Sequence, residues 1–196
     1  MSFGVGIGVA DPGDSVVELA PMIAALFEGD EPLLDRDALR DLHALPQQRY
    51  WLLQDLQALL ERAVLVRPLL VCLDDLHWAD SGTAAALRAL PSRLAALPIA
   101  WMLAGRPDQG SARLRSAVDY LVESGAERIV LGPLDPAAVA QVAVDVMRAE
   151  PDRALLELVQ DARGSPFLLM ELLTGFGELA TCLTSPRPRC WPRSTS

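Results

Sequence analysis

The chain contains no lysine: all 17 of its basic residues among 196 are arginine. That absence excludes a phosphate-binding loop, whose glycine-rich turn must be followed by lysine and then serine or threonine to hold the β- and γ-phosphates of a nucleotide. Histidine is scarce, with only His43 and His77, so a zinc or iron centre built on histidine has little to draw on. Three cysteines, Cys72, Cys182 and Cys190, form an odd and unpatterned set. They give no disulfide framework and fit a reducing cytoplasm. No apolar run approaches the roughly 18 to 20 residues that span a bilayer. The first residues, MSFGVGIGVADPGD, carry no positive charge ahead of an apolar stretch, as a secretory signal requires.

What remains is an acidic, apolar-rich chain. It is 51% hydrophobic and 22% charged, enough for a core, with a net charge of −9. From Thr181 onward the chain holds Arg187, Arg189 and Arg193 and no acid, so the body before it carries 14 basic against 26 acidic residues, or −12. That body has no electrostatic footprint for nucleic acid. The tail, TSPRPRCWPRSTS, is rich in proline, arginine and serine and has no period. It reads either as a disordered tail or as the product of a shifted reading frame.

Hydrophobic periodicity organises the rest. Phe3 to Ala10 suits a short strand, and Asp11, Pro12 and Gly13 signal a turn. A helix is expected from about Val16 to Phe27, with Asp14 or Ser15 as its cap. A long helix follows Pro46, since Leu52, Leu53, Leu56, Leu59, Leu60 and Ala63 repeat at three- and four-residue spacing. Leu69 to Leu73 and Ile99 to Ala104 are uninterrupted apolar runs of strand length, suited to parallel strands covered on both faces. Glu127 to Leu131 predicts a third such strand. Helices are expected over Gly82 to Leu97, kinked or split at Pro91, and over Ser111 to Val122, closed by Gly125. Three more, Pro136 to Met147, Pro151 to Ala162 and Pro166 to about Phe176, each begin at a proline. Apolar strands alternating with helices predict an α/β fold with a parallel sheet, followed by the start of an all-α subdomain. The chain contains no internal repeat.

The chemistry-bearing stretch is Leu69 to Thr83, LLVCLDDLHWADSGT. Asp74 and Asp75 end an apolar strand, where a hydrated magnesium ion takes one or two carboxylates and leaves its other positions to phosphates and water. The first acid of such a pair holds the metal through water; the second orients or deprotonates an attacking water. The plain alternative is a turn after a strand, with Asp80 capping a helix. A zinc or iron set of Asp74, Asp75, His77 and Asp80 lacks supporting Cys/His spacing. Phosphatases with an aspartate nucleophile need acids two apart, and here they are adjacent. A GxSxG elbow is absent.

LLVCLDDLHWADSGT closely resembles the Walker B segment of the STAND branch of AAA-like ATPases, best matched to the ATPase domains of the large ATP-binding LuxR-type transcriptional regulators and their adenylate-cyclase-linked relatives. IAWMLAGRP, Ile99 to Pro107, resembles the next strand with its terminal sensor arginine, which implies that Arg106 lies near the γ-phosphate. RGSPFLLMELL, Arg163 to Leu173, resembles the family's Gly-x-Pro segment, which implies that Gly164 and Pro166 lie near the base or ribose. The similarity covers about Val16 to Gly177. It implies ATP and Mg2+ as ligands, Asp74 at the metal through water, and Asp75 and Arg106 as catalytic.

The departures matter as much. Gly4-Val5-Gly6-Ile7-Gly8 has no Lys-Ser/Thr after it and is no P-loop. The resemblance therefore implies a partial P-loop NTPase sheet lacking its first, central strand. The expected organisation is an incomplete core over 1–132, a partial helical subdomain over 133–177, and the odd tail over 178–196. ATP binding is expected to be weak or absent and hydrolysis near background. A second reading is a non-catalytic interaction module that binds a protein partner, or a second copy, through an exposed sheet edge.

Overall fold

The computed structural model describes residues 2–13, 18–28, 31–35, 49–106 and 108–184, without the side chains of 49–51 and 177–184. The expected caps Asp14 and Ser15, residues 36–48 and the tail from residue 185 lie outside them. The structure is mixed α/β and divides into two compact units, Met1–Arg128 and Ile129–Ser196. Among the described residues no helix is long and apolar enough to cross a membrane.

The first unit is built on three parallel strands, β1 (Gly4–Val9), β2 (Leu69–Asp74) and β3 (Ile99–Leu103), in that spatial order. Gly6, Val71 and Trp101 are in register, as are Ile7, Cys72 and Met102. Helices α1 (Ala20–Phe27), α2 (Arg49–Ala63), α3 (Ser81–Arg93) and α4 (Ala112–Glu123) complete the unit. Its core joins Leu69, Val71 and Leu73 of β2 to Met22 and Leu26 of α1, Leu56 and Leu60 of α2, and Leu87 and Leu90 of α3. Ile99, Trp101 and Leu103 pack against it.

The glycines of β1 make this packing possible. Gly4, Gly6 and Gly8 point to the core face, and Val5, Ile7 and Val9 point away. A Cβ on Gly6 would fall 1.9 Å from the Ala25 carbonyl oxygen, and one on Gly8 1.9 Å from that of Pro21. Helix α1 thus lies directly on the backbone of β1, closer than any side chain allows. The Gly-rich run is a packing device rather than a phosphate cradle.

Three expectations need correction. Glu127 to Leu131 is not a strand: among the described residues it pairs with no strand, and Ile129, Val130 and Leu131 are 75%, 79% and 90% exposed. An apolar β-branched run becomes a strand only where a free strand offers its backbone, and this segment meets none. Helix α3 is not split at Pro91: it runs through the proline and ends two residues later, at Arg93. The helix expected from Pro151 begins instead at Arg153, where the Asp152 carboxylate accepts the Leu155 N–H and sets the start.

The second unit packs α5 (Pro136–Met147), α6 (Arg153–Gln160) and α7 (Pro166–Thr184) around Val139, Ala143, Leu155, Val159, Leu169 and Leu173. Helix α7 continues past Gly177, where the composition changes.

Candidate functional site

Asp74 is the last residue of the middle strand. Its carboxylate is exposed, and its Oδ1 accepts the Asp75 backbone N–H at 2.7 Å. Asp75 then turns the chain by adopting a left-handed conformation, φ 49°, ψ 33°. That region is costly for most side chains and tolerated best by Asn and Asp. The turn starts a 3-10 helix over Leu76–Trp78, closed by the Trp78 N–H on the Asp75 carbonyl at 2.9 Å. The strained turn presents both carboxylates at the carboxyl end of β2, where open parallel sheets bind ligands.

His77 is held beneath them. Its side chain is 2% exposed and stacks at a tilt on Trp78, ring centroids 5.1 Å apart. Its Nδ1 is buried without a hydrogen-bond partner among the described residues; the Asp75 carboxylate, 3.8 Å away, is the charge beside it. A buried nitrogen left unpaired is costly, so a small rotation of Asp75 would relieve it.

Asp80, the third acid of the motif, is committed to structure. Its Oδ1 accepts from the Gly82 and Thr83 N–H groups at 2.6 and 3.1 Å, and its Oδ2 accepts from the Thr83 hydroxyl and from the Leu19 N–H. A carboxylate with four donors has no capacity left for a metal. Among the described residues no group of three or more His, Cys, Asp or Glu side chains could hold a metal ion by itself. Any cation at Asp74 and Asp75 would need a ligand such as a polyphosphate to complete its shell.

Arg106 reaches the same end of the sheet from β3. The Ala104 N–H bonds the Leu73 carbonyl, and the Leu76 N–H bonds the Ala104 carbonyl, tying the two strand ends together at 2.9 and 3.0 Å. The loop after β3 passes close to the His77 turn: a Cβ on Gly105 would lie 3.5 Å from the His77 nitrogen, and one on Gly110 3.2 Å from its Cα. The Arg106 side chain is exposed, and no ion pair joins it to either aspartate among the described residues.

Gly164 and Pro166 belong to the second unit, which is described by itself. Gly164 has φ +74°, and a Cβ there would lie 2.4 Å from the Leu134 carbonyl oxygen. The Leu134 N–H donates to the Gly164 carbonyl at 2.8 Å. Pro166 opens α7, behind Ser165, whose carbonyl accepts the Leu169 N–H. Both residues have a full local task in turning the chain from α6 into α7. The sequence pattern did not reveal the burial of His77 or the bond from the Leu19 N–H to Asp80, whereas the helix-capping role of Asp80 was among the readings that the motif offered.

No protein-family model matches the chain, and neither a curated protein nor a solved structure matches it.

Proposed function

We propose that the chain is part of a STAND-type, AAA-like ATP-binding regulator. It contributes the Walker B acids Asp74 and Asp75 and the sensor Arg106, and it neither binds nor hydrolyses ATP efficiently by itself. The observation that carries this reading is the placement of Asp74 and Asp75 at the carboxyl end of the middle strand of a parallel sheet, with Arg106 leaving the adjacent strand at the same end. In an intact relative, the resemblance implies that Asp74 would hold a hydrated Mg2+ through water, Asp75 would orient the attacking water, and Arg106 would lie near the γ-phosphate. No lysine is present to neutralise the β- and γ-phosphates, so affinity is very weak. In the second unit Gly164 and Pro166 are the residues that the resemblance puts near the base or ribose.

The test is ATP binding and turnover by the pure chain with and without Mg2+. Turnover near background, unchanged in Asp75→Asn, is expected. Robust magnesium-dependent turnover that Asp75→Asn abolishes would sink the claim of an incompetent site. Weak Mg-ATP binding lost in Asp74→Asn supports the metal assignment, and binding indifferent to both aspartates removes it.

A second reading, a non-catalytic interaction module, is favoured by a different observation: one face of the sheet in the first unit is apolar and exposed. A folded chain that ignores nucleotide at millimolar concentration and keeps a defined assembly state supports it.

A further inference from the structure

The sheet of the first unit has two unlike faces. The core face carries Gly6, Val71, Trp101 and their neighbours and is packed by helices. The opposite face carries Val5, Ile7 and Val9 of β1, Leu70 and Cys72 of β2, and Ala100 and Met102 of β3. Val5, Ile7, Val9 and Met102 are 47%, 64%, 54% and 58% exposed, and Phe3, on the same side of the chain just before β1, is 57% exposed. The only charged side chain of the strands on this face is Asp74, at its rim. Parallel sheets are found almost always with both faces covered. An alternating strand normally pairs its apolar face with a polar one, and β1 instead alternates glycine with β-branched residues, which are apolar on both sides.

We infer that this face is the dimer interface of the chain: a second copy covers it, sheet against sheet. Three strands of about six residues, at a rise of about 3.3 Å and a spacing of about 4.8 Å, make a face on the order of 300 Å2 in projection. The accessible area, which includes side-chain flanks and Phe3, is roughly twice that, at the upper end of the largest patch on an ordinary monomer. Two such faces together remove about 1,200 Å2, the lower limit of a stable specific interface. A twofold axis parallel to β2, in the plane between two copies, sets β1 of one over β3 of the other; the shared register then puts Val5 opposite Ala100 and Ile7 opposite Met102, with Asp74 and its counterpart at the solvent-exposed rim. This interface lies on the face of the sheet rather than at its edge, and it stands independently of the nucleotide reading.

The test is sedimentation equilibrium of the full chain over a range of concentrations, with circular dichroism to confirm folding. Wild type is expected at twice its 21.2 kDa mass at about 50 µM, above the micromolar dissociation constants found at the weak end of specific interfaces. Ile7→Glu and Met102→Glu, each at an exposed position, should raise the dimer dissociation constant tenfold or more. Leu65→Glu, 84% exposed and outside the three strands, should leave it unchanged. If either glutamate variant fails to fold, Ile7→Thr and Met102→Gln carry the same readout. A wild-type monomer at these concentrations overturns the proposal and leaves the face to a helix of another polypeptide. So does a dimer that survives both substitutions, or open-ended aggregation that neither reduces.

Discussion

The Asp80 carboxylate accepts the backbone N–H of Leu19, 61 positions earlier, at 3.1 Å, while the same group caps α3 through Gly82 and Thr83. Leu19 stands in a left-handed conformation, φ 64°, immediately before α1. One buried side chain therefore fixes the starts of two helices, and with them the turn that follows Asp74 and Asp75.

Asp80→Ala removes the cap of α3 and orphans the Leu19 N–H. The expected loss is about 2–4 kcal/mol, the sum of a strong cap and an unsatisfied buried donor. Asp80→Asn, which keeps an acceptor oxygen, should lose less. Urea unfolding followed by circular dichroism gives both numbers. A midpoint for Asp80→Ala equal to wild type would show that the Leu19 contact contributes nothing.

Glycine substitutions should separate packing glycines from permissive ones. Gly6→Ala and Gly8→Ala drive a methyl into the α1 backbone and should destabilise the first unit by more than about 2 kcal/mol, since backbone, unlike a side-chain tip, cannot step aside. Gly164→Ala combines a 2.4 Å clash with a positive φ and should unfold the second unit. At Gly175, inside α7, nothing lies within 4 Å of an added Cβ, so Gly175→Ala should stabilise by about 0.5–1 kcal/mol. Hydrogen exchange resolved by segment would report each effect in its own unit.

Asp75→Asn keeps a residue type that accepts left-handed backbone, so its stability should stay within about 0.5 kcal/mol of wild type. The substitution therefore removes charge without removing the turn. Asp75→Val should cost about 1–2 kcal/mol, because a β-branched side chain at φ 49° is strained. Equal stabilities for the two variants would show that the turn does not depend on this residue.

Burial pushes the Cys72 thiol up from its ordinary 9.0. The folded chain then holds this proton more tightly than the unfolded chain. Its contribution to stability is present below pH 9 and is lost as the pH rises through the raised folded value. The thiolate is the reactive form, so alkylation of Cys72 by iodoacetamide at pH 8 should run slower than that of an unfolded control. Mass spectrometry of the modified peptide measures it. A rate equal to the control would mean that the thiol is not shielded.

Several local features were legible in the sequence because they depend on near neighbours. The apolar run from Leu69 to Leu73 forms the middle strand, Ile99 to Leu103 forms the next, and Gly125, φ 103°, ends α4 as a glycine at that position should. The pairing of Asp74 with Asp75 at a strand end was likewise readable. The Glu127–Leu131 segment was not, because its composition suits a strand while its surroundings supply no partner. The strand at Gly4 to Val9 was legible, but the reason for its glycines at every second residue was not, because it lies in the contact of their backbone with α1.

The sequence alone determined which chemistry is missing, since no fold can supply a lysine that is not encoded. It also determined where carboxylates end a strand, because burial of apolar side chains fixes the strand and the aspartates stop it. Only the tertiary structure decided that Asp80 is used up in holding Leu19, that His77 is buried beside Asp75, and that Phe3, Val5, Ile7, Val9 and Met102 share one uncovered face. Those outcomes depend on contacts between residues far apart in the chain. Periodicity tells which side chains are apolar, not what, if anything, comes to cover them.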